Sequence, residues 1–317
     1  MEKYITSITE AIGGTHLLRL DKLADKLKFD GEIYAKLEHM SPSFSKKDRI
    51  ALGMIEIAEQ EGLLKPGQPV LEVTSGNTGI GLALVCAAKG YRFICCMSIG
   101  NSVERRKMIE AFGGELVLVD QMPGAIKGQV SNDDLVLVEQ EAERIVKETG
   151  AYYVNQFHNT ANSASQEIAA QEIWQQTDGK IEVFADFVGT GGTFAGYARA
   201  LKAYNPSIRC YVIEPEGCAY YKNEIVPGAA HGIQGGGYAK HVENMEREKI
   251  DGCVTVSNDE AVEMTRKIAA IEGIFAGMSS GANVAAAVKL LEGAEQGKKI
   301  ATVINDCGLK YMSTDLF

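Results

Sequence analysis

Apolar and polar positions divide the chain into short apolar runs and longer stretches with helical spacing. Ile50, Leu52, Met54, Ile55 and Ala58 recur at that spacing and predict a helix over 48–62. The run 70–73 reads as a buried strand, followed by a helix over 79–89 with Gly90 as its stop. The same reading gives a strand at 92–97, a helix at 103–112, a strand at 115–119 and a charged amphipathic helix at 134–149. Further strands fall at 183–188, 210–213 and 300–304. Helices fall at 163–176, 194–204, 259–272 and 282–291. Strand and helix alternate for most of the length, which predicts an α/β fold with parallel sheets covered by helices on both faces. The segment 121–134 reads as a surface excursion. No Pro/Ser-rich linker divides the chain, so a second domain would be interleaved with the first.

Composition narrows the class. The 317 residues can bury one large core or two smaller ones, and 45% hydrophobic with 23% charged residues suits a soluble globular enzyme. The net charge is −10 with no basic stripe, which argues against nucleic-acid binding. No apolar run reaches membrane-spanning length, and the start, Met1-Glu2-Lys3-Tyr4, lacks signal-peptide features. Seven cysteines without CxxC spacing read as reduced, mostly buried thiols of a cytoplasmic protein. Cys95 and Cys96 are adjacent, so their side chains should face opposite sides of a strand. The five histidines form no HxxxH pair, and no metal site is expected.

Two strand–loop–helix junctions carry candidate chemistry. Thr74-Ser75-Gly76-Asn77-Thr78-Gly79 joins a strand to a helix, where unpaired N–H groups and the helix dipole favour an anion. Its hydroxyls and amide suit a carboxylate or carbonyl. Gly189-Thr190-Gly191-Gly192-Thr193 repeats the theme. It is neither GxGxxG, because Phe194 holds the sixth position, nor a P-loop, because no GK[ST] follows. Its shape suits a phosphate monoester, although a glycine turn that only packs helix on strand has the same composition. Two anion cradles point to a ligand, or a ligand pair, with two anionic groups. Ser45-Lys46-Lys47-Asp48-Arg49 offers a lysine at the start of an apolar helix. Partial burial and Arg49 would favour the neutral amine that a Schiff base needs, but a solvated charge cluster is the commoner meaning of KKDR. Gly277-Met278-Ser279-Ser280-Gly281 precedes a helix, where its hydroxyls could cap that helix or bond a ligand's ring nitrogen.

In combination these segments resemble the fold-type II pyridoxal-phosphate enzymes (tryptophan synthase β-like), closest to the cysteine synthase (O-acetylserine sulfhydrylase) branch with cystathionine β-synthase. The resemblance runs from end to end. Ile12–Leu20 is similar to IGNTPLVRL and Ser41–Ile50 to NPAGSVKDRI, which places the Schiff-base lysine at Lys47 rather than Lys46. Further similar segments are 102–107, 156–157, 214–216, 231–235 and 311–317. The resemblance implies pyridoxal 5'-phosphate as cofactor and two interleaved α/β domains. The larger would be 1–46 with 151–317, the smaller and mobile one 47–150, in a homodimer. It further implies that Gly189, Thr190, Gly191, Gly192 and Thr193 hold the phosphate, Asn77 the ring 3′-oxygen and Ser279 the pyridine nitrogen. Thr74, Ser75, Thr78 and Gln156 would bind the substrate α-carboxylate, and Lys47 would be both imine partner and general base. The implied reaction is β-replacement on an activated serine through an aminoacrylate, with O-acetylserine and sulfide giving cysteine and acetate. A cysteine-consuming reaction that releases hydrogen sulfide, to serine, lanthionine or cystathionine, and a phosphoserine-type donor are the alternatives.

Departures touch the pocket walls. His16 replaces a proline, Ser41 an asparagine, Phe44 a glycine and Lys46 an apolar residue. Ile168-Ala169-Ala170 lacks the threonines of TTGPEIW, Gly235-Gly236-Gly237-Tyr238 replaces GIGAG, and Asn305-Asp306-Cys307-Gly308 replaces PDSG. These departures count against docking of a serine acetyltransferase tail, a partner in parts of the family.

Overall fold

A computed structural model describes residues 4–123 and 132–317. Of the excursion expected at 121–134, residues 124–131 lie outside the described residues. In chain order the elements begin β1 (Leu17–Arg19), α1 (Asp21–Leu27), β2 (Glu32–Lys36), α2 (Lys47–Gln60), β3 (Val70–Val73) and α3 (Asn77–Lys89). They continue β4 (Phe93–Ser98), α4 (Val103–Ala111), β5 (Glu115–Val119), α5 (Asn132–Thr149), β6 (Tyr152–Tyr153), α6 (Ala161–Ala164) and α7 (Glu167–Gln176). The rest are β7 (Val183–Phe187), α8 (Gly192–Tyr204), β8 (Arg209–Pro215), β9 (Cys218–Ala219), β10 (Glu224–Ile225), β11 (Gly252–Val256), α9 (Asn258–Glu272), α10 (Met278–Leu291) and β12 (Lys299–Val303).

The chain divides into two compact units. One takes the N-terminal residues through Ile12 and Lys47–Asn162, the other Gly13–Lys46 and Ser163–Phe317. The first unit is built on a parallel four-stranded sheet, order β5-β4-β3-β6. Apolar residues cover both its faces, as parallel sheets require. Ile50, Met54, Ile80 and Cys95 share one core, and Leu71, Ile94, Cys96 and Val138 the other. Cys95 and Cys96 thus face opposite sides, as their adjacency predicts. The helix α3 is buried from Thr78 through Cys86, and α2 packs on it closely. A Cβ at Gly81 would lie 3.0 Å from the Lys47 carbonyl oxygen, so a glycine there lets the first turn of α2 approach α3.

The second unit carries a six-stranded sheet, order β1-β2-β12-β7-β8-β11, parallel except for the antiparallel edge pair β1–β2. Its core gathers Ile33, Val183, Ala185, Ile213, Val284 and Ile300.

The helices α3, α8 and α10 start two to four residues early, within the glycine loops expected to precede them, each with a glycine N-cap. The helix expected over 163–176 is broken into α6 and α7. The break is at Ser165–Gln166, where Gln166 is fully buried. A Cβ on Gly196 of α8 would come 2.3 Å from the Ser163 carbonyl oxygen, so close packing against α8 accompanies the break. The strands β1, β2 and β11 were not evident from apolar spacing.

Candidate active site

In the first unit, β3 feeds the Thr74–Gly76 turn directly into α3. No side chain caps that helix at Gly76, so its N-terminal N–H groups and dipole face outward from a loop of hydroxyls. Thr74 and Thr78 are buried, Ser75 is exposed, and Asn77 is the half-buried first residue of α3. Thr78 Oγ1 donates to Gln156 Oε1 at 2.6 Å, bringing together two residues 78 positions apart. Asn162 Nδ2 holds the Gln156 carbonyl at 2.8 Å, which fixes the backbone of that residue. Beneath this set lies Glu72 on β3, 1% exposed. Burial pushes its carboxyl up to about 8, against hydrogen bonds from Gln156 and Asn155 that pull the other way. Glu72 was not singled out from sequence, although a carboxylate inside the apolar run VLEV was a visible signal.

Lys46 and Lys47 part company. Lys46 is 8% exposed, and its Nζ donates to Asp186 Oδ2 at 2.8 Å and Oδ1 at 3.1 Å. Asn283 Nδ2 adds 2.9 Å to Asp186 Oδ1 and 2.7 Å to the Val303 oxygen. KKDR is therefore not a solvated cluster, since Asp48 and Arg49 are buried as well. Lys47 is the first residue of α2 and half-buried. The network around Asp186 was missed, yet Asp186 within VFADF and Asn283 within GANVAAA each break an apolar run.

In the second unit, Gly189–Thr193 joins β7 to the 13-residue α8. Gly191, at φ +82, is the N-cap and no side chain caps the helix. A Cβ on Gly189 would meet the Gly235 oxygen at 2.3 Å, so packing requires glycine there. Thr190 and Thr193 are 5% and 4% exposed. Backbone N–H groups, the α8 dipole and two hydroxyls make a donor set that fits a phosphate monoester. Ser279 lies in the first turn of α10, whose N-cap Gly277 has no side-chain bond, so it does not cap the helix. Its Oγ accepts from Asn305 Nδ2 at 3.1 Å, and Ser280 Oγ accepts from the Asn305 backbone N–H at 2.9 Å. Asn305 is 5% exposed and its Oδ1 has no partner among the described residues. This buried polar end, with the phosphate cradle, fits a pyridine nucleus carrying a phosphate. Among the described residues no three His, Cys, Asp or Glu side chains are grouped to hold a metal ion, and no helix is long and apolar enough to cross a membrane.

Comparison with known proteins agrees with this donor set. The model of the pyridoxal-phosphate dependent enzyme family matches residues 8–306. A cysteine synthase of Staphylococcus aureus is 41% identical over 321 aligned positions, covering 100% of this chain and 98% of the relative. The crystal structure of O-acetyl serine sulfhydrylase isoform 3 from Entamoeba histolytica superposes with TM-score 0.91 at 34% identity, covering 100% of this chain and 92% of that one. A hydrogen sulfide-producing enzyme from Fusobacterium nucleatum gives TM-score 0.87 at 35% identity, with 98% and 100% covered. The fold and site define a fold-type II enzyme that uses pyridoxal phosphate. The chain belongs to the cysteine synthase family of these pyridoxal-phosphate-dependent enzymes.

Proposed function

We propose that the chain catalyses β-replacement on an activated serine, with O-acetylserine and sulfide giving cysteine and acetate. The observation that carries the reading is the pair of glycine-started helices, α3 and α8, each without a side-chain cap and each preceded by a hydroxyl-bearing loop. One cradle suits the cofactor phosphate and the other the α-carboxylate of an amino acid.

In this reading Gly189, Thr190, Gly191, Gly192 and Thr193 hold the phosphate through backbone N–H groups and hydroxyls. Lys47 holds the cofactor covalently through Nζ. Asn77 bonds the ring 3′-oxygen, and Ser279 donates to the ring nitrogen. Bound there, pyridoxal phosphate supplies an electron sink for charge developing at the substrate α-carbon, a weak one because Ser279 offers a hydroxyl and not a carboxylate. Thr74, Ser75, Thr78 and Gln156 bind the α-carboxylate, with Gln156 already oriented by Thr78. Freed when the substrate amine takes its place on the cofactor, Lys47 Nζ takes the α-proton as the β-substituent leaves and returns it to Cα after sulfide adds at Cβ. The smaller domain, 47–150, moves on substrate binding, and the chain works as a homodimer.

A second reading is a cysteine-consuming replacement that releases hydrogen sulfide. It is favoured by Phe44, which has φ +66 and is 43% exposed in the turn that leads to Lys47. A bulky residue in that conformation reshapes the wall three residues from the lysine. The test is the visible absorption of the loaded protein as O-acetylserine and then cysteine are added, with sulfide assayed. A spectral shift with O-acetylserine, and sulfide consumption, supports the synthase. A shift and sulfide release with cysteine alone establishes the second reading, and no shift with either rejects both.

A further inference from the structure

We infer that Asn305 is a positioning residue that makes Ser279 a hydrogen-bond donor toward the cofactor ring nitrogen. The inference rests on the placement of Ser279 at that nitrogen proposed above, and goes beyond it by saying what sets the direction of the bond. A serine hydroxyl has one proton and two lone pairs, so a bond accepted on the oxygen decides where the proton can go. Asn305 Nδ2 donates to Ser279 Oγ at 3.1 Å. The hydroxyl proton therefore points away from Asn305. Ser279 is the second residue of α10, so no carbonyl of an earlier helical turn lies beneath its hydroxyl to take the proton. Ser279 is 7% exposed, so water is a poor alternative acceptor. An unprotonated pyridine nitrogen is an acceptor that satisfies this proton.

Asn305 is held for the task by its own backbone. Its N–H donates to Ser280 Oγ at 2.9 Å, and its carbonyl accepts from the Lys46 N–H at 2.9 Å. These bonds tie it to the first turn of α10 and to the residue before Lys47. Replacing the amide by an isosteric carboxylate, Asn305→Asp, reverses the polarity. The new carboxylate oxygen would accept the Ser279 proton, leaving a serine lone pair facing the ring.

The experiment is the affinity of the full-length chain, stripped of cofactor, for pyridoxal phosphate and for its 1-deaza analogue, in which C–H replaces the ring nitrogen. One hydrogen bond to that nitrogen is worth about tenfold in the ratio of the two affinities. The wild type should prefer pyridoxal phosphate by about that factor. Ser279→Ala should bring the ratio close to one, and if it does not, the placement of Ser279 fails. With Ser279→Ala behaving so, Asn305→Asp should also abolish the preference and Asn305→Leu should reduce it. A wild-type ratio in Asn305→Asp overturns the role of Asn305 while leaving that of Ser279 intact. Should Asn305→Asp fail to melt cooperatively, Asn305→Leu decides, and a wild-type ratio there overturns the inference.

Discussion

Two adjacent lysines illustrate what a single side chain decides. Lys46 is paired with Asp186 in a site where both partners are nearly inaccessible, at 10% and 1% side-chain exposure. Removing one member of such a pair strands the other charge in the interior, at a cost of about 3–5 kcal/mol. Lys46→Met should therefore lower the unfolding midpoint strongly, and Lys46→Met with Asp186→Leu should recover most of the loss. Neither change should remove the visible band of the bound cofactor. Lys47→Ala should abolish both that band and turnover. The opposite pattern, with the band lost in Lys46→Met and kept in Lys47→Ala, would refute the assignment of the lysine. Phe44 is the other instructive residue. The left-handed conformation costs an ordinary residue about 1–2 kcal/mol, while glycine there widens the unfolded ensemble by up to about 1 kcal/mol. Phe44→Gly should leave stability unchanged or raise it by about 1 kcal/mol, and should alter donor preference more than cofactor affinity. Competition between O-acetylserine, phosphoserine and cysteine would show this, and an unchanged profile would refute it.

At the scale of elements, β3 shows how a strand supports the loop it feeds. Glu72 lies at the heart of the sheet and takes hydrogen bonds from Gln156 and from the backbone of Asn155, which itself has φ +51. Its folded value of about 8 stands above the ordinary 4.5. Between those values the folded chain keeps a proton that the unfolded chain has released. Stability therefore falls as pH rises through that window, by up to about 1.4 kcal/mol per unit, and levels off above it. Glu72→Gln keeps an acceptor and cannot titrate, so its unfolding midpoint should change less between pH 5 and 8 than that of the wild type. Identical pH profiles would show that Glu72 has no such raised value. Glu72 also marks a limit of sequence reading. The alternation and both glycine loops were legible because each element repeats a period and each loop interrupts it. The strand β2, with sequence EIYAK, was not, because its buried Lys36 reads as a surface charge. That ammonium is in fact satisfied by Glu172 at 2.6 Å and by the Thr15 oxygen at 2.6 Å. The early starts of α3, α8 and α10 were hidden for a related reason. Glycine and serine lower helix propensity, while an uncapped N-terminus is what an anion site requires.

Across the whole molecule, the two cradles belong to different units, so their assignments can be tested separately. The α8 loop presents the donors expected for a dianionic phosphate, Thr190 and Thr193 among them. In the reading proposed above, the α3 loop and Gln156, which accepts from Thr78, take the substrate carboxylate. A ligand that binds only the folded state slows exchange of the amides it covers by a factor of one plus the ratio of ligand concentration to Kd, about a hundredfold at a hundred times Kd. Inorganic phosphate offered to the full chain without cofactor should therefore protect amides at 189–195 and leave those at 74–79 unchanged. Pyridoxal phosphate should protect 189–195 and also the first turn of α10, where Ser279 lies. Substrate added to the loaded protein should then protect 74–79 and the backbone near Gln156. Phosphate protection at 74–79 without protection at 189–195 would exchange the two assignments. It would also remove the α8 loop from the cofactor site, because a dipole and donor set built for phosphate cannot be indifferent to it.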